Sequence, residues 1–361
     1  MNVQKHDLAT NKRKLGKVEL DDISDTAKAA LGGSELDHPY RTLYVSADFV
    51  TGGAFYDTLA GAITYANTLA YNVLIIVYPG TYTGNYALDP NVILYFMPNT
   101  FLVASDKTIS VLLMSEGARV YGFVRIEYAI VSGYAVTMNK NCILEAVSCL
   151  EDANAVLIND ISGSAVDVQI RVKELGHVDV VGLVGDLYIE SDKFSQLTYG
   201  GSYDCYVNCK LFKKDITVSN GKVYLNTQRY YKENSTIINL TGGSLTANGR
   251  VDRYTNSTNN TTGAGYIAIV TAGTLRLHDF YAKNAAGGVI FGGGAGNLIT
   301  SNVILQATNI GGGSSFEPIA GLVGFTVTYS GRTNMNLATT PTPPITQNVT
   351  GNKIVDANIT I

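Results

Sequence analysis

"VLIIVYPGTYTGNYAL" occupies residues 73–88. Val73 to Val77 is an apolar run, and Pro79-Gly80 stops it. A short apolar run closed by turn residues reads as a buried strand. A second strand-like stretch begins around Tyr82. Upstream, "RTLYVSADF" from Arg41 reads as another strand. Between them, "YDTLAGAITYANTLA" puts Leu59, Ile63, Ala66 and Leu69 or Ala70 on one helical face. The order is strand, helix, buried strand, Pro-Gly turn, strand.

Composition points the same way. The chain has 361 residues, of which 16% are charged, with 37 Gly and 8 Pro. Few charges, many glycines and abundant Asn, Thr and Ser suit short strands joined by tight turns. A net charge of -4 lacks the basic face that nucleic-acid binding needs. No apolar run is long enough to span a membrane, and the N-terminus has no apolar core of a secretory signal. Cys142, Cys149, Cys205 and Cys209 read as reduced, packed thiols. Their spacing lacks the tight pairs of a zinc site, so neither a metal nor a cofactor is expected.

Self-similarity decides the architecture. "VLLMSEGARV" at 111–120, "IINLTGGSL" at 237–245, "IAIVTAGTL" at 267–275 and "VIFGGGAGNL" at 289–298 share one plan. Each is an apolar strand, a glycine corner, then a second apolar strand. Gly243, Gly273 and Gly296 stand two residues before Leu245, Leu275 and Leu298, and Gly117 stands three before Val120. From Val223, the steps are 22 residues to Leu245, 30 to Leu275 and 23 to Leu298. A period in the twenties means stacked coils, each burying the apolar row of the next. The expected fold is all-β, a right-handed parallel β-helix of nine or ten coils over 74–310, about 45 Å long. The expected boundaries are 1–33 for an anchoring arm and helix, 34–72 for the first strand and capping helix, 73–315 for the β-helix, and 316–361 for C-terminal strands and a Pro-containing tail.

The order strand, capping helix, buried strand and Pro-Gly-Thr-Tyr over residues 40–100 resembles the beginning of pectate-lyase-like parallel β-helices. In that superfamily the helix plugs the end of the solenoid. The resemblance concerns architecture, and fold does not fix function. Motifs of its pectin-modifying members are incomplete here. Gly80-Thr81-Tyr82-Thr83-Gly84 has Gly84 where pectin methylesterases place an acid. Gly288-Val289-Ile290-Phe291-Gly292 lacks the acid of their second motif, and the chain has no Trp for the third. Arg171-Val172-Lys173 and Gly176-His177-Val178 stand in the reverse of the polygalacturonase order. No catalytic residue is therefore expected.

A glycosidase could still draw paired carboxylates from neighbouring coils. Candidates on outward loops are Glu145, Asp204, Asp215, Asp252 and Asp279. Asp279 stands beside His278 and near Arg276, which alternate with Leu275 and Leu277. The plainer reading is the polar outer face of a coil. The sequons at Asn234, Asn239, Asn256 and Asn260 reflect Asn and Thr in turns when no secretory signal is present. The 23 tyrosines read as packing residues in a chain without Trp, or as a surface on which sugars stack.

The first eighteen residues carry Lys5, Lys12, Arg13, Lys14 and Lys17 against Asp7. Lys12, Arg13, Lys14 and Lys17 read as an anchoring arm. Next, Leu20, Ile23, Ala27 and Leu31 form a helical stripe too short to be stable alone, which three copies could bury around an axis. Such a helix resembles the neck segments of phage fibre proteins. With the solenoid, the whole arrangement resembles a fibre, spike or head-decoration protein of a tailed bacteriophage. The resemblance implies a homotrimer, made in the host cytoplasm and carried on the virion. Its implied partners are other virion proteins and host cell-surface polysaccharide, with no nucleic acid and no membrane. The alternative is a polysaccharide-degrading tailspike.

Overall fold

The computed structural model describes residues 41–127, 133–149, 155–159, 167–183, 185–231, 236–253, 266–284, 289–307, 319–321, 326–337, 353–355 and 359–360. The arm and helix expected within 1–33, with Lys12, Arg13, Lys14, Lys17, Leu20, Ile23, Ala27 and Leu31, lie outside the described residues. So do Pro341, Pro343 and Pro344. Among the described residues, no helix is long and apolar enough to cross a membrane.

Val73–Val77 is buried at all five positions. It stacks in parallel between Arg41–Val45 and the first part of Val92–Val103. Each following coil lays its strand on the last. Leu43, Ile75, Leu94, Val120, Leu144 and Ile170 stand in register as one inward row. The row continues through Ile189, Val207, Leu225, Ala247 and Leu277 to Thr300. From Ile75 to Thr300 there are ten register steps, or about 48 Å at the strand spacing. Among the described residues, twenty-four strands join one parallel system, a β-solenoid. The stacking reaches beyond the expected 73–315 on both sides, from Arg41–Val45 to Ile359–Thr360.

The row through Val223, Leu245, Leu275 and Leu298 is in register as the sequence steps require. Val120 needs a correction. It pairs with Leu94 and Leu144, and so belongs to the inward row two residues further along. The corner at Gly117 therefore delivers its strand differently from the corner at Gly243.

Three faces enclose the core. The second carries three-residue strands such as Ile216–Val218 and Ile238–Leu240. The third brings Phe194, Phe212 and Tyr230 inward in register. Phe194 and Phe212 meet edge to face at 5.2 Å between ring centres. All four cysteines are buried, and none is in a disulfide. Burial pushes the Cys142 and Cys209 thiols up to about 11, so they pack as neutral groups.

Helix α1, Leu59–Asn67, closes the N-terminal end of the core. Thr58 caps it, its hydroxyl accepting from the Gly61 amide. Leu59, Ala62, Ile63 and Ala66 are buried in the solenoid core. The Asn91 amide holds the other end, donating to the carbonyls of Ala66, Leu69 and Tyr71.

Candidate functional site

Two outward rows run along the first face. At its N-terminal levels they are apolar and covered. Leu74, Ile76, Ile93, Tyr95 and Tyr121 form a small second core there, each at most 4% exposed. Further along, the same rows turn polar and open. One carries Gln169, Tyr188, Tyr206, Tyr224, Thr246 and Arg276 in register. The other carries Glu145, Arg171, Glu190, Asn208 and Asn226. Strand alternation puts both rows outside, because Ile189, Val207 and Leu225 between them point in.

Where the rows open, the surface is hollow. A depression of about 740 Å³ lies over Tyr188, Tyr206, Tyr224, Asn208, Asn226 and Asn248, with Asp167 and His278 also lining it. A second, of about 630 Å³, shares Arg171, Glu190, Asn208 and Asn226 with the first. Together they form one groove. The coils here are the tightest of the solenoid, 18 residues from Ile189 to Val207 and again to Leu225. Short coils leave no loop to cover the face.

The tyrosines stack on one another. Ring centres are 5.2 Å apart between Tyr188 and Tyr206 and 5.0 Å between Tyr206 and Tyr224, with planes within 10° and 9° of parallel. Each inner ring face is therefore taken by its neighbour. The three residues are 36–40% exposed. A sugar lying flat on this stack would find only its end faces open. Tyr188 donates to Asp186 at 3.4 Å and Tyr206 to Asp204 at 3.3 Å. Partial burial, with these carboxylates, holds both phenols above their ordinary range. They stay protonated donors.

The neighbouring row forms an amide ladder. Asn248 donates to Asn226 at 2.8 Å, and Asn226 to Asn208 at 3.3 Å. Arg171 lies between two acids, its Nη1 3.2 Å from Glu145 and its Nε 4.0 Å from Glu190. Lys210 pairs with Asp192 at 2.7 Å, and Lys222 with Asp204 at 3.8 Å.

Of the carboxylates singled out in the sequence, Glu145, Asp204, Asp252 and Asp279 are on strands, and Asp215 is on a short connection. Glu145 lies within Ile143–Cys149 and Asp204 opens Asp204–Phe212. Asp215 directly precedes Ile216–Val218 and accepts from Gln196. Asp279, at φ +49, pairs with His278 at 3.0 Å and accepts from Asn302. Each therefore has its own set of partners. The side chain of Asp252 lies outside the described ones. Among the described residues, no group of three His, Cys, Asp or Glu is placed to hold a metal.

Sequence reasoning named Glu145 and His278 but missed the tyrosine and asparagine rows of the groove, though a signal existed. Asp186-Leu187-Tyr188, Asp204-Cys205-Tyr206 and Lys222-Val223-Tyr224 recur at 18-residue spacing, each followed two residues on by Glu190, Asn208 or Asn226. No family model matches the chain, and neither does any curated protein or solved structure.

Proposed function

We propose that the chain is a structural protein of a tailed-bacteriophage particle: a fibre, spike or head-decoration protein that projects its solenoid outward and adsorbs to host surface polysaccharide. The observation that carries the reading is the single parallel stack from Arg41–Val45 to Ile359–Thr360, with an open polar groove on one face. A continuous rod displays a surface at a distance, and its repeated outer rows suit a repeating polymer. The resemblance of residues 40–100 to pectate-lyase-like β-helices supports the same reading. In it, the chain is a homotrimer held to the particle by the basic arm around Lys12, Arg13, Lys14 and Lys17. The stripe of Leu20, Ile23, Ala27 and Leu31 gathers three copies, so weak arm contacts gain avidity.

A second reading is a polysaccharide-cleaving tailspike. Glu145 and Glu190 favour it, because both reach toward one groove. Against it, the Arg171 guanidinium fills the space between them, where a scissile bond would have to lie.

Particle composition tests the proposal. Purified virions of the source phage should contain the full chain, and a chain lacking residues 1–33 should fold but fail to join them. Light scattering should give a trimer for the full chain at micromolar concentration. Absence from virions, or a monomer, would count against the reading. New reducing ends from host polysaccharide, lost in Glu190→Gln, would install the tailspike instead.

A further inference from the structure

We propose that the groove between the Tyr188–Tyr206–Tyr224 stack and the Asn208–Asn226–Asn248 ladder binds an uncharged, extended polysaccharide lying along the solenoid axis, one sugar to a coil. The proposal rests on the adsorption reading above and names the ligand class and its site.

Periodicity is the first ground. Three successive coils repeat one arrangement, a tyrosine and, two residues on, Glu190, Asn208 or Asn226. The arrangement recurs at the strand spacing of about 4.8 Å. An extended chain of hexopyranoses repeats at nearly that distance, so successive sugars at Tyr206 with Asn208 and at Tyr224 with Asn226 meet equivalent groups.

The available chemistry is the second. Each asparagine amide has two N–H donors and two acceptor lone pairs. Asn226 spends one donor on Asn208 and one lone pair on Asn248. One of each remains for a vicinal diol. The tyrosine stack presents ring edges and hydroxyls rather than open faces. Recognition therefore runs through hydrogen bonds. Addition of a peptide strand does not fit, because the main chain of these coils is already paired on both sides.

Charge is the third. Arg171, Lys210 and Lys222 are each already held by a carboxylate. Asp186 and Asp204 follow one another in line beside the tyrosines, each donating its amide to the carboxylate of the coil before. A polyuronate or nucleic acid in the groove meets that line of carboxylates beside the tyrosines and competes with these three ion pairs.

The full chain should be titrated calorimetrically with linear glucan, mannan and galactan fragments, with polygalacturonate fragments, and with a single-stranded oligonucleotide. A neutral fragment should bind with an affinity unchanged between low and high salt. Asn226→Ala should weaken it about tenfold, as loss of paired hydrogen bonds implies. Tyr206→Phe keeps the ring stack and removes one hydroxyl, so it should weaken binding while leaving the melting temperature in place. Tighter, salt-sensitive binding of polygalacturonate or oligonucleotide overturns the proposal; if Asn226→Ala abolishes polygalacturonate binding, the adsorption reading survives. Full affinity in both variants overturns the site. Binding of none of the fragments by a chain that is present on virions overturns the proposal and leaves the structural role standing.

Discussion

The carbonyl oxygen of Gly243 lies 2.4 Å from the place a Cβ on Gly273 would occupy. The same relation holds one coil earlier, where the Gly221 carbonyl lies 2.4 Å from a Cβ on Gly243. Both residues have positive φ, +61° at Gly243 and +82° at Gly273. The corner is thus glycine-only for two reasons, backbone conformation and the close approach of the coil below.

Gly273→Ala should cost about 3 kcal/mol or more, combining left-handed strain with a main-chain overlap that no side chain can relieve. Gly53 is the control. Its φ is +62°, yet nothing lies within 4 Å of its Cβ position. Gly53→Ala should cost only the strain, about 1–2 kcal/mol. Chemical denaturation of both variants measures the difference, and equal losses would show that coil packing at the corner is loose.

Leu275 is fully buried in register with Leu245 and Leu298. Leu275→Ala should lose about 2–5 kcal/mol through lost burial and the cavity left behind. Leu275→Asp buries an unpaired charge and should lose more. Leu113, 47% exposed on the second face, is the comparison, and Leu113→Asp should stay within about 0.5 kcal/mol. A wild-type melting curve for Leu275→Asp would remove that row from the core.

The inward rows were legible in the sequence because burial writes itself into residue type at every second position. Val223, Leu245, Leu275 and Leu298 could be aligned by eye for that reason. The capping helix was legible through Leu59, Ile63 and Ala66. Val120 was misplaced because its corner glycine stands at a different distance from its row. The groove was harder. Tyr188, Tyr206 and Tyr224 are amphipathic residues whose type fits either face, and only the coil register shows that they stack outward. Likewise Arg171 and Glu190 are 19 residues apart, and their pairing depends on a coil length that no local pattern announces.

Asn91 ties helix α1 to the solenoid through one amide group and three carbonyls, the shortest bond being 2.7 Å to Leu69. Asn91→Ala should leave those helix-end carbonyls short of partners and cost about 1–3 kcal/mol. The loss should be local first. Amide exchange of residues in α1 should quicken well before that of Ile216–Val218, at the middle of the stack. Uniform quickening along the rod would show instead that the cap and the coils unfold as one unit.

Alkaline pH should unfold the protein through its buried tyrosines. Burial raises the phenols of Tyr82, Tyr86 and Tyr121 to about 12. Tyr199 and Tyr230 are raised as well, again chiefly by burial. In the unfolded chain these groups ionise near pH 10. A phenol whose folded value is raised favours the native state fully below the unfolded value. That contribution falls as pH rises from about 10 to about 12, because only the unfolded chain then releases the proton. Hydrogen bonds reinforce the neutral form, with Tyr199 donating to the Tyr203 carbonyl at 2.8 Å and Tyr230 to that of Asn248 at 3.0 Å. Tyrosinate absorbance should therefore rise in two phases. The first phase should leave the native circular dichroism intact. The buried set should then appear together with loss of the β signal. Tyr230→Phe should move that second phase to higher pH, since it removes one proton released on unfolding. A single smooth titration, complete while the fold persists, would show that water reaches the inner rows.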